Sequence, residues 1–161
     1  MYLLEGNLKT GVAEFLKNIE LLSDRYGVIQ AVDGDFCASK EHVEFAVDKA
    51  VTSMNSGRQI ARNLGVEILC YLSATRQIKK ALSISLGEST KRVVVIFFDK
   101  RARAELAELI EVVPTVGFSK DKVPILQSWF EVTDAELEIM GIDRLPLLVK
   151  ERVVLMDLFK K

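Results

Sequence analysis

"RVVVIFF", residues 92–98, is the tightest constraint in this chain. After Arg92 it runs through six apolar residues, most of them β-branched or aromatic, with no polar position to mark a wet face. Such a segment is a strand with both faces covered, so it needs a layer of packed structure on each side. A chain of 161 residues can supply that cover, because a domain near this size buries roughly 68–70% of its unfolded surface. Hydrophobic residues make up 49% and charged residues 28%, a globular balance. No apolar run approaches the roughly 18 residues of a membrane span.

The remaining pattern places helices around a few strands. "YLLEG" reads as a first strand. Thr10 can cap a helix that buries Val12, Phe15, Leu16, Ile19 and Leu22 at 3–4 spacing, closed by Tyr26-Gly27. "GVIQAVDGDFCAS" alternates as a strand interrupted near Gly34. Ser39 then caps a helix whose Val43, Ala46, Val47, Ala50, Val51 and Met54 form one stripe, ending at "MNSG". Residues 57–72 read as a helix with Arg58 and Arg62 near its start and an all-apolar centre from Val66 to Leu72, interrupted by Glu67. Ser73-Ala74-Thr75 breaks it, and "RQIKKALSIS" begins a second, with Ile78, Leu82 and Ile84 turned from its cations.

Beyond the apolar strand, "DKRARAELAELIEVV" reads as a helix opened by Asp99, and "PTVGFS" as a short strand. "DKVPILQSWFE" makes a turn or two of helix, with Pro124 tolerable only in its first turn. Thr133 and Glu136 form a capping box for a helix ending at Gly141. Asp143 opens the last helix, with Pro146 in its first turn. The expected fold is α/β or α+β: one domain over residues 1–161, with a central mixed, largely antiparallel sheet surrounded by helices.

Charge is unevenly spread. The formal net charge is −1, yet residues 56–103 hold ten basic side chains against three acidic ones. A near-neutral total argues against bulk coating of nucleic acid, while a basic middle permits a local anion or phosphate site. Equipment for catalysis is absent. The single histidine, His42, sits in a first helical turn, where capping or packing is its usual role. No glycine-rich nucleotide cradle appears, and the carboxylate spacing suggests no metal set. No catalytic residue, metal or cofactor is expected. Cys37 and Cys70 lie in apolar stretches and read as reduced core thiols. With no secretion-type start, a cytoplasmic setting is expected.

Three segments carry a resemblance: Ala38-Ser39-Lys40-Glu41-His42; Glu67-Ile68-Leu69-Cys70-Tyr71-Leu72-Ser73-Ala74-Thr75-Arg76-Gln77-Ile78; and Val149-Lys150-Glu151-Arg152-Val153-Val154-Leu155-Met156-Asp157. In this order they resemble the small kinase-binding, transfer-RNA-binding subunit of the KEOPS complex. Ala74 departs from that pattern, which has glycine there; if φ must be positive, alanine alters the turn.

The resemblance implies a non-catalytic subunit. The complex forms threonylcarbamoyladenosine on transfer RNA; this subunit binds and activates a small atypical kinase, an ATPase, and meets the carbamoyltransferase indirectly. It also captures the single-stranded 3′ CCA end of transfer RNA. On that reading Arg58, Arg62, Lys79 and Lys80 pair with phosphates. Arg76 stacks on a base or grips phosphate, Gln77 reads a base edge, and Ile84 and Leu86 border a base pocket. Surplus apolar residues of the last helix, Leu155, Leu158 and Phe159, would dock the kinase. The rival reading is a protein-interaction scaffold whose basic middle meets an acidic partner. A small-molecule sensor or enzyme is a third.

Overall fold

The apolar run at 92–98 does become an inner strand. The computed structural model describes residues 1–114 and 117–159. In chain order its elements are β1 (Tyr2–Leu8), α1 (Val12–Tyr26), β2 (Ile29–Asp33), α2 (Lys40–Asn55), α3 (Leu64–Leu72) and α4 (Ile78–Leu82). There follow β3 (Arg92–Phe97), α5 (Arg103–Leu109), β4 (Ile110–Val112), α6 (Val123–Trp129), α7 (Asp134–Met140) and α8 (Leu145–Leu158). The fold is α+β. It packs as two units interleaved in sequence, Met1–Gly34 with Ser85–Val116 and Asp35–Ile84 with Gly117–Lys161.

The first unit is a four-stranded sheet in the order β2-β3-β1-β4. Every pairing is antiparallel, so the mixed sheet expected from the sequence gives way to a uniform one. Val93, Val95 and Phe97 of β3 share one face with Leu4 and Ala31, and pack with Phe15, Ile19 and Leu22 of α1 and Leu106 of α5. Val94 and Ile96, on the opposite face, are fully buried as well. The absence of alternation in β3 therefore reports burial on both faces.

Several elements depart from the expected pattern. The N-cap of α1 is Gly11 rather than Thr10, with no side-chain cap. Leu16, expected in the stripe, is 42% exposed. "IEV" leaves the helix predicted through Val113 and becomes β4, because its backbone pairs with β1 at Gly6–Leu8. "PTVGFS" supplies no strand among its described residues; Thr115 and Val116 lie outside them. Asp143 does not cap α8, whose N-cap is Arg144, although Pro146 sits in its first turn as expected.

The second unit is helical. Leu126, Phe130, Leu137, Leu145, Leu148 and Val149 form its core with Ala38. Ser39 caps α2 by accepting the His42 N–H at 3.0 Å, and the Thr133–Glu136 capping box opens α7. α3 is buried on every side from Glu67 to Leu72. His42 is a packing residue. It is fully buried, its Nδ1 accepts the Ala38 N–H at 3.1 Å, and its Nε2 donates to the Leu72 carbonyl at 3.0 Å. Both cysteines are buried free thiols. Among the described residues, no helix is long and apolar enough to cross a membrane.

Candidate functional site

The turn between α3 and α4 organises the surface around it. α3 ends with the Thr75 N–H on the Cys70 carbonyl and the Ala74 N–H on the Tyr71 carbonyl, both at 3.1 Å. This pair of bonds needs a left-handed residue at Ala74, a position that usually takes glycine. Ala74 adopts it, with φ 52°. Ser73 locks the turn by donating from Oγ to the Leu69 carbonyl at 2.6 Å. Beyond it, Gln77 precedes the single short turn of α4, which carries Lys79 and Lys80.

The turn opens onto a groove of about 460 Å³. One wall comes from Thr75, Arg76, Gln77 and Lys80, another from Trp129 at the end of α6, and a third from Leu155, Met156 and Phe159. Trp129 is pinned there: its indole Nε1 donates to the Ser73 carbonyl at 3.0 Å, and its ring packs edge-on to Phe36 at 5.2 Å. The Lys80 ammonium stands 5.2 Å from the Trp129 ring centroid. Arg76 Nη1 donates to the Phe159 carbonyl at 3.5 Å.

Arg152 also borders the groove, but its guanidinium is used as a brace. It donates to the Phe130 and Glu131 carbonyls at 3.2 and 3.1 Å and pairs with Glu136 at 2.9 Å. The Thr133 backbone N–H and then Arg152 hold the Glu136 carboxyl below the usual carboxylate range. The arrangement thus offers cations, the rings of Trp129, Phe130 and Phe159, an amide side chain and an apolar lip in one open trough. That mixture matches what unstacked bases on a charged strand require.

The predicted site residues divide. The groove brings Arg76, Gln77 and Lys80 together with Leu155 and Phe159, joining residues assigned from sequence to two different partners. Lys79 is exposed beside the groove without lining it, and Leu158 is 70% exposed. Ile84 is fully buried, and Leu86 packs against the core of the sheet unit, so neither reaches the groove. Ile78 and Leu82, expected to face inward, are 39% and 44% exposed, and Ala81 between them is the buried residue of α4.

Arg58 and Arg62 are not helical: residues 58–63 form an irregular loop, and α3 starts only after Asn63. The loop is held by Glu67, whose buried carboxylate accepts the Ile60 and Ala61 N–H groups at 2.9 and 2.7 Å. Sequence reasoning missed Trp129. Its signal was slight: it is the only tryptophan in the chain, about fifty positions from the turn it abuts.

Fold and groove define the class, an α+β protein with an open cationic and aromatic trough. The model of the family described as kinase binding protein CGI-121 matches residues 12–145, and the chain belongs to that family. The chain is also 29% identical over 135 residues to the regulatory protein Cgi121 of Methanocaldococcus jannaschii, covering 82% of this chain and 85% of that protein.

Proposed function

We propose that this chain is the regulatory, non-catalytic subunit of a KEOPS complex: it binds and activates the small kinase, and it holds the 3′ CCA end of transfer RNA in the groove. The observation that carries the RNA reading is the meeting of Arg76, Lys80 and Trp129 in one trough. A single-stranded end needs cations along its backbone and a flat surface for its bases. Gln77 at the rim offers both donor and acceptor to a base edge. Membership of a kinase-binding family supports the kinase partner, and the relative's description as a regulatory protein supports a role without chemistry of its own. In that complex the chain would serve threonylcarbamoyladenosine formation by delivering RNA and kinase to the carbamoyltransferase.

The test is retention of intact transfer RNA against the same RNA trimmed of its CCA end, by gel shift at fixed salt. Native protein should retain the intact RNA at least tenfold better, and Arg76→Glu should erase the difference. Equal retention of both RNAs would remove the 3′ end from the reading and leave the scaffold alternative, which the exposed Leu158 and Phe159 also favour.

A further inference from the structure

A second cavity, separate from the groove, is lined almost wholly by polar side chains. It measures about 170 Å³. Lys49, Thr52, Ser53 and Ser56 line it at i, i+3, i+4 and i+7 along α2 and its cap. This polar stripe lies beside the buried Val43, Ala46, Val47 and Ala50. Arg58, Tyr71 and Asp157 complete the wall.

Cations near the C-terminus of a helix ordinarily offset its unfilled carbonyls. Here backbone donors already fill three of those carbonyls. The Arg58 N–H reaches the Ser53 carbonyl at 3.0 Å, the Gly57 N–H the Met54 carbonyl at 3.3 Å, and the Ser56 N–H the Thr52 carbonyl at 3.0 Å. Gly57 allows this closure through its φ of 69°. The side chains of Lys49 and Arg58 are therefore not needed as caps.

The one carboxylate of the cavity is likewise engaged. Asp157 accepts the Tyr71 hydroxyl through Oδ1 at 2.9 Å and meets the Lys49 ammonium through Oδ2 at 3.2 Å. Among the described residues no carboxylate pairs with Arg58. What remains is a surplus of donors: the guanidinium of Arg58, further N–H groups of Lys49 and the hydroxyl of Thr52. A cavity with one excess positive charge, whose hydroxyls can all donate, suits a ligand made only of acceptors.

We propose that this cavity is a phosphate site, taking a tetrahedral oxyanion, free or carried on a nucleotide, between the Lys49 ammonium and the Arg58 guanidinium. Asp157 is the positioning residue that aims Lys49. The inference does not depend on the groove holding RNA.

The experiment follows backbone amide NMR shifts of the full chain at constant ionic strength, titrating inorganic phosphate, adenosine 5′-monophosphate and adenosine in turn, with sodium chloride as control. Phosphate should produce saturable shifts at Gly57 and Arg58. Arg58→Gln should weaken it at least tenfold, while Arg58→Lys retains binding within about threefold. The monophosphate binding tighter than inorganic phosphate, with adenosine inert, assigns the site to nucleotide phosphate; equal binding assigns it to the free ion. Arg76→Glu, in the groove, should leave the titration unchanged even if it abolishes RNA retention. The proposal is overturned if neither phosphate nor the monophosphate saturates these amides, if Arg58→Gln binds as the native chain does, or if Arg76→Glu removes the response.

Discussion

The indole of Trp129 donates to the carbonyl of Ser73 across 3.0 Å, and that bond places an aromatic wall of the groove against the turn that carries its cations. Neither residue would mark a site alone. Tied together, they set the ring beside Arg76 and under Lys80.

Because Trp129 is the sole tryptophan, its emission reports the groove directly. A short RNA ending in CCA should change that emission saturably, and Arg76→Glu should remove the response. Trp129→Ala should weaken binding by about 1–3 kcal/mol, the usual worth of one base–aromatic stack. Trp129→Phe should keep most of the affinity while losing about 1 kcal/mol of stability with the indole hydrogen bond. Affinity unchanged in Trp129→Ala would put the bases elsewhere.

Ala74 is held at φ 52°, a conformation that carries a penalty of roughly 1–2 kcal/mol for a residue with a Cβ. Ala74→Gly removes that strain and gives back part of the gain through greater freedom in the unfolded chain. A net stabilisation of about 0.5–1 kcal/mol is expected in urea unfolding, with RNA retention preserved. A loss of stability would show that the turn is not strained.

His42 makes stability depend on pH. Burial foremost, aided by the charge of Lys122 and opposed by the Leu72 carbonyl, pushes its pKa from 6.5 down to about 4. Above pH 6.5 both folded and unfolded chains hold it neutral. As pH falls from 6.5 to 4 the unfolded chain takes up a proton that the fold refuses, so stability drops; below 4 this contribution is flat. At about 1.4 kcal/mol per pH unit, the loss totals roughly 3 kcal/mol. Urea midpoints at pH 7.5 and 4.5 should separate strongly in the native chain and less in His42→Gln. Parallel declines in the two would clear His42 of the effect.

Glu67 anchors the loop that presents Arg58 and Arg62. Glu67→Ala leaves the Ile60 and Ala61 amides without their charged acceptor, for a loss of about 2–4 kcal/mol. Amide exchange at Ile60 and Ala61 should speed up by more than the global destabilisation accounts for. Exchange slowed or unchanged there would argue against the anchor.

Leu158 and Phe159 are 70% and 74% exposed at the end of α8. Replacing both with glutamate should alter stability by no more than about 0.5 kcal/mol, as for other surface changes. Co-purification with the kinase subunit should nevertheless fail. Retained co-purification would move the kinase contact to another face.

Much of this protein is determined by periodicity and end chemistry. The all-apolar β3, the all-apolar centre of α3, the Ser39 cap, the Thr133–Glu136 box and the left-handed stop at Ala74 each follow from interactions within a few residues. So does the clustering of Arg76 with Lys80. Other features depend on partners distant in the chain. "IEV" is a strand because β1 lies beside it, residues 58–63 are a loop because Glu67 takes their amides, and Ile84 is core although it follows a basic helix. The groove itself joins residues 73–80, 129 and 155–159, separations over which a sequence carries no register. Local rules decide which residues are helical, buried or charged; only packing decides which of them face one another, because that choice is made by burial and hydrogen-bond satisfaction summed over the whole unit.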